Sequence, residues 1–435
     1  MPKPKALLMF VAVLLGGWGE SMTDTLTTTE ARLDSPSIVT LQQTPEGYML
    51  LKNGEPYIIR GAGGSSHLGL LKESGGNTIR TWDAEGIAPL MDEAHELGLS
   101  VLVGIWLEHR RHGYDHENPE HRKHDLDRVE GFVKQFRDHP ALLGWGVGNE
   151  LELGGDLDIA IEQIKLASSK IKELDPNHPT MAVIAEIGED KAVRIQNECP
   201  DIDLIGINSY GGMGTVGQRA MNQGYSGAYA ITEFGPVGFW ETGVSSWGAP
   251  YEQSSGEKAD FLRRNYADTI QANLGKQCVG SFAFLWGNKQ EKTETWFGLI
   301  LPTGERTEMI DVLTEFWTGE PPKNRAPRVL GLKTDADAAK MSPGQTIEVA
   351  VEASDADADA LETEWRVMPE SGVRSEGGDA EPEIAPVPIA IELIDATHAR
   401  ITLPQEAGAY RIFATVRDGH SNAGTANLPI LIIQP

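Results

Sequence analysis

Short apolar runs alternate along the chain with longer stretches whose apolar residues recur at helical spacing. After "GYMLLKNGEPYIIRG" (47–61), where Asn53-Gly54 between apolar runs signals a hairpin, eight runs have the length and composition of strands. They are "PYIIRG" (56–61), "NTIRTW" (77–82), "SVLVGIWL" (100–107), "ALLGWGVGN" (141–149), "PTMAVIAE" (179–186), "IDLIGINSY" (202–210), "AYAITEFG" (228–235) and "VGSFAFLWG" (279–287). Each is continuously apolar rather than alternating, as in parallel strands covered on both faces. Between them lie "IAPLMDEAHELGL", "DRVEGFVKQFRDH", "DIAIEQIKLASSKIKEL" and "EKADFLRRNYADTIQANL", each with an apolar stripe and a charged face, and "ERTEMIDVLTEFWTG" follows the last strand. The alternation predicts an α/β fold, a (β/α)8 TIM barrel over 47–319. A doubly wound open sheet is the competing arrangement, but no Gly-rich phosphate loop follows the first strand. "GAGGSS" (61–66) reads instead as tight backbone packing.

The periodicity then changes. A Pro-rich linker over 320–327 leads into "GQTIEVAVEAS", "LETEWRVM", "IAIELI", "HARITLP", "AYRIFATVRD" and "NLPILII", which alternate with period two. This predicts an Ig-like β-sandwich over 328–435, a spacer or binding module with no catalytic constellation of its own. At the other end, Lys3 and Lys5 precede an apolar stretch from Ala6 to Leu15 and a small-residue exit, the pattern of a signal peptide over 1–20. Residues 21–46 read as a Thr- and Ser-rich lead-in. The expected location is secreted or periplasmic, with no membrane insertion.

Composition narrows the partners. A net charge of −27 argues against nucleic acid and anionic membrane and suits a neutral ligand. The two cysteines, Cys199 and Cys278, read as buried free thiols, and so few leave no case for a structural zinc site. No cofactor is expected.

In such a barrel the chemistry sits at the C-terminal strand ends. That rule selects Arg80 and Trp82, then Trp106, Glu108 and His109, then Asn149 and Glu150, Glu186, Asn208 and Tyr210, Glu233, and finally Trp286. Two carboxylates converging from opposed strands suit glycosidic bond cleavage. One is kept protonated to help the leaving oxygen depart, and the other is kept ionised to attack the anomeric carbon. Six of the ten tryptophans fall at or after strand ends, where indole faces can stack on sugar rings or plug the fold under long loops.

"GVGNE" ending the fourth strand and "ITEFG" ending the seventh resemble glycoside hydrolase clan A, the retaining barrel glycosidases. With "GGNTIRTW", the wording is similar to the barrel of glycoside hydrolase family 2 and related β-1,3-glucan-active families. The resemblance covers Gly47 to Gly319 and lacks the N-terminal jelly-roll domain of family 2. It implies Glu150 as acid/base and Glu233 as nucleophile. Asn149 would bind the sugar 2-hydroxyl, Tyr210 and Arg80 would hold Glu233, Trp286 would floor the bound sugar, and His109 would be the histidine that often follows the third strand. It also implies a β-glucan substrate, with β-1,3 linkage favoured, cleaved or transglycosylated.

Each residue has a plainer reading. A lone Asn–Glu at a strand end is usually solvent-facing or a helix cap; it is the second glutamate three strands on that changes its weight. Arg80 could be a structural ion pair, Tyr210 and Trp286 barrel-mouth packing, and Glu186 a satisfied rim residue. The loop "EHRRHGYDHENPEHRKHD" (108–125) carries His109, His112, His116, His121 and His124, five of the eleven histidines, at spacings that fit no compact helical ligand pair. It reads as a substrate-contacting or solvated loop. The rivals to a glycosidase are a non-catalytic carbohydrate-binding barrel and a metal-dependent lyase using that loop.

Overall fold

The computed structural model describes residues 35–373, 377–379 and 381–434. The signal peptide and residues 21–34 of the lead-in lie outside them. The rest of the lead-in belongs to the fold: β1 (Val39–Gln43) pairs antiparallel with β2 (Tyr48–Lys52), and β2 with β3 (Glu55–Tyr57). Asn53 and Gly54 both have positive φ, 53° and 84°, which gives β2–β3 the two-residue turn that matches strand twist. Val39 donates its N–H to Asn177, and the Ser37 hydroxyl to the Leu142 carbonyl, so this sheet is tied to the base of the barrel.

Eight parallel strands form the closed barrel: β4 (Ile59–Gly63), β5 (Thr78–Arg80), β6 (Ser100–Ile105), β7 (Leu142–Val147), β8 (Thr180–Ala185), β9 (Leu204–Asn208), β10 (Ala228–Phe234) and β11 (Cys278–Ala283). β11 pairs with β4 to close it. A helix follows every strand, the last being Glu308–Thr318. β6, β7, β10 and β11 are buried at every position, which is why their sequences run apolar without alternation. Two cores result: one inside the barrel around Leu102, Met181 and Phe282, and a larger one between strands and helices. Cys199 and Cys278 are buried and free.

The C-terminal region has two antiparallel sheets. One runs β12 (Arg328–Thr334), β13 (Thr346–Ser354), β16 (His398–Thr402), β15 (Ala390–Leu393); the other runs β14 (Glu362–Pro369), β17 (Gly408–Arg417), β18 (Ala423–Ile432). Alternate side chains such as Ile347, Val349, Trp365, Ile401 and Ile412 meet between them. The linker does not act as a free spacer. Ala326 donates to Asp311 of the last barrel helix at 2.6 Å, and Arg325 to Asp357 of the sandwich at 2.7 Å. Fully buried Arg411 reaches from β17 to the Pro250 carbonyl at 2.8 Å, and Asn427 donates to Glu252 at 2.6 Å. The two domains therefore share a polar, well-paired seam. Among the described residues no helix is long and apolar enough to cross a membrane.

Candidate active site

The C-terminal strand ends open on a cleft of about 950 Å³. Glu150 reaches it through a local contortion. Gly148 has φ of 68° and Glu150 itself 52°, so the chain leaves β7 through two left-handed residues before the Glu150 N–H bonds the Val183 carbonyl at 2.9 Å. The glycines of "GWGVGNE" differ in their reasons. A Cβ on Gly144 would stand 2.7 Å from the Pro179 carbonyl oxygen, Gly148 supplies the backbone angle, and a Cβ on Gly146 would meet Gly104 at an ordinary contact distance of 3.7 Å.

Glu233, in β10, stands where the β9–β10 register shifts beside Asn208. Arg80 Nη1 and Trp82 Nε1 donate to its Oε1 at 2.9 and 2.8 Å, and the Tyr210 hydroxyl to its Oε2 at 2.8 Å. Arg80 is only 2% exposed, and its Nη2 donates to Asn149 Oδ1 at 2.7 Å. One guanidinium thus bridges the ends of β10 and β7 with charge-assisted hydrogen bonds. Among the described residues Glu150 accepts one side-chain donor, Asn208 Nδ2 at 2.9 Å, and Asn208 is held in turn by the Thr232 hydroxyl. Burial and then the charge of Glu233 push the Glu150 carboxyl up to about 8, so it carries a proton at neutral pH. The two carboxyl groups on one cleft thereby sit in unlike surroundings, three side-chain donors around Glu233 and one amide on Glu150.

Trp82, Trp106 and Trp240 line the cleft, three of the six rim tryptophans. Trp296 is buried beneath it and donates to the Val237 carbonyl, while Tyr210, Phe284 and Phe297 pack in the same aromatic cluster. Trp286 does not floor the site. β11 ends at Ala283, short of the strand end read from sequence, so Phe284 and Leu285 face the cleft. Trp286, 1% exposed, turns into the helix layer beside Trp317 and gives its indole N–H to the His67 carbonyl at 3.1 Å. His109 is also outside the lining. It stacks on Trp106 at 4.9 Å, and burial lowers its imidazole to about 4, leaving it neutral behind the wall. Sequence reasoning gave no weight to Phe239, Lys289, Glu291 or the turn Gly377–Gly378, all of which line the cleft. Only the approach of the second domain brings the last two there.

Residues 77–223 match the family described as glycosyl hydrolases family 2, TIM barrel domain. Over this stretch the barrel is similar to that family's catalytic barrel. Solved structures similar to the chain include a β-D-glucuronidase of Dictyoglomus thermophilum, 18% identical over 66% of this chain and 54% of that one at a TM-score of 0.50. A Ruminococcus gnavus β-glucuronidase is 17% identical over 66% and 53%, also at 0.50. At these identities the likeness is one of fold. The chain spans about half the length of the solved structures it matches. No curated protein sequence matches it. The family 2-like stretch takes in Arg80, Trp82, Asn149, Glu150 and Tyr210 but ends before Glu233, which the closed barrel brings onto the same cleft.

Proposed function

We propose that this chain is a retaining β-glycoside hydrolase. The reading rests on one observation: two carboxyl groups share a cleft, one raised far enough to keep its proton at neutral pH, the other bound by three side-chain donors. Glu233 attacks the anomeric carbon, while Glu150 gives its proton to the leaving oxygen and then takes one from the incoming water. Asn149 Oδ1 is occupied by Arg80 and Asn208, which leaves its Nδ2 for a sugar hydroxyl. Trp82 and Trp106 offer faces for pyranose rings.

The substrate we infer is a neutral β-linked glycan, with a β-glucan, β-1,3-linked, favoured by the resemblance at "GGNTIRTW". Charge supports the neutral part. The cleft is lined by five glutamates, of which Glu150 keeps its proton, and by three cations. Each cation already has a carboxylate partner: Lys191 with Glu152 at 3.0 Å, Lys289 with Glu291 at 3.1 Å, and Arg111 with Asp379 at 3.4 Å. A uronate would compete for these cations and meet the surplus of negative charge. The Lys3–Leu15 pattern supports export. The test is a panel of aryl β-glycosides and β-1,3-, β-1,4- and β-1,6-linked oligosaccharides with an aryl β-glucuronide included, products being resolved by chromatography. Turnover of a neutral member supports the reading, and rearranged chains would make the enzyme a transglycosylase. A marked preference for the glucuronide overturns the neutral assignment, and no turnover of any member overturns the glycosidase reading.

A further inference from the structure

The second domain reaches the active-site cleft. Gly377 and Gly378, in the connection between β14 and β15, line it together with barrel residues. Lys289 Nζ donates to the Gly378 carbonyl at 2.6 Å, and the Gly378 N–H donates to Glu291 Oε1 at 3.0 Å. Both barrel residues belong to the segment after β11. On the other side, Asp379 Oδ1 lies 3.4 Å from Arg111 and 3.7 Å from His112, in the segment after β6. Trp240, in the segment after β10, packs on Gly377 so closely that a Cβ there would stand 3.0 Å from its ring.

The strand order gives these anchors a direction. Going round the barrel from β11 to β6, only β4 and β5 intervene. The turn therefore bridges the rim over β4 and β5, and Trp240 extends that wall to β10. The unbridged arc is β7 to β9, where Glu150, Glu186 and Ser209 line the cleft. A sugar poised over Glu233 has the wall behind it, and its leaving group departs past the acid, Glu150, toward the open arc.

We propose that the C-terminal sandwich completes the substrate site, its turn Gly377–Asp379 walling the closed end of the cleft so that only the non-reducing end of a glycan enters. The inference rests on the glycosidase reading and adds a specificity-determining role for a domain whose own sequence carries no chemistry. Glu291 and Lys289 act as positioning residues that hold the turn from the barrel side.

The experiment compares the aryl β-glycoside turned over in the panel with the same compound capped by a 4,6-O-benzylidene group on its terminal sugar. It uses the full chain, wild type and Asp379→Ala/Lys289→Ala, with Asp379→Ala alone covering a failure of the double variant to fold. kcat/KM is read for both compounds, and Kd for both by calorimetry in Glu233→Gln and in Glu233→Gln carrying the same wall substitutions. The wild type is expected to favour the uncapped compound by about a hundredfold, and the double variant to narrow that ratio by about tenfold. Equal use of both compounds by the wild type, or a ratio unmoved by the substitutions, overturns the wall. Turnover of neither compound counts against the glycosidase reading instead, and the Kd ratios then decide the wall by the same criterion.

Discussion

Glu233 receives three side-chain donors, from Arg80, Trp82 and Tyr210, whereas Glu150 receives one, from Asn208. That inequality gives two otherwise identical side chains different surroundings, one ringed by donors and the other raised to about 8. The division of labour at the cleft follows from it.

The acid should announce itself in the pH profile. With the Glu150 carboxyl raised to about 8, kcat/KM is expected to fall on the alkaline side with a midpoint near pH 8. In Glu150→Gln that limb disappears. Turnover should fall on the order of a thousandfold for poor alkyl leaving groups but far less for a 4-nitrophenyl group, which needs no proton. Equal losses for both leaving groups would mean that Glu150 is not the acid.

Stability carries the same signature. Between the ordinary value of 4.5 and about 8, folded Glu150 holds a proton that the unfolded chain has lost, so stability falls as pH rises through that window. Glu150→Gln removes this cost. Its melting temperature should exceed the wild type's by on the order of a few degrees at pH 8, and by much less at pH 4.5. Differential scanning calorimetry at the two pH values measures the difference.

Arg80 and Tyr210 hold Glu233 differently. Arg80→Met removes the guanidinium that donates to Glu233 Oε1, and turnover should fall about a hundredfold or more. Tyr210→Phe keeps the ring among Phe284, Phe297 and Trp240 and loses one hydrogen bond. Its effect should be nearer tenfold, with the melting temperature close to that of the wild type. Steady-state kinetics across pH distinguish the two variants.

Trp286 belongs to the core rather than to the sugar site. Trp286→Phe should lower stability by about 1–3 kcal/mol in urea unfolding while leaving KM within about twofold. A large rise in KM with unchanged stability would return this residue to the cleft.

The barrel was legible because buried parallel strands write themselves as continuous apolar runs, and eight of them alternate with amphipathic helices. Glu150 and Glu233 were legible because each ends such a run. Trp286 and His109 were misplaced for a related reason. Strand ends blur by a few residues, and at the end of β11 two residues decide whether an aromatic faces the cleft or the helix layer. Val39–Gln43 was hidden because an edge strand that pairs on one side needs no long apolar run. Gly377 and Gly378 carry no signal at all, since their role comes from domain packing across a seam built by Arg411, Glu252 and Asn427.

The most direct test is covalent labelling of the nucleophile. A 2-deoxy-2-fluoro β-glycoside, matched to the sugar identified in the panel and carrying a good leaving group, is incubated with the protein. Peptide mass spectrometry then locates the sugar. The account predicts one glycosyl group per chain, attached at Glu233 and absent from Glu233→Gln. A label on any other residue, or inversion at the anomeric centre in the product released from an ordinary substrate, would contradict it.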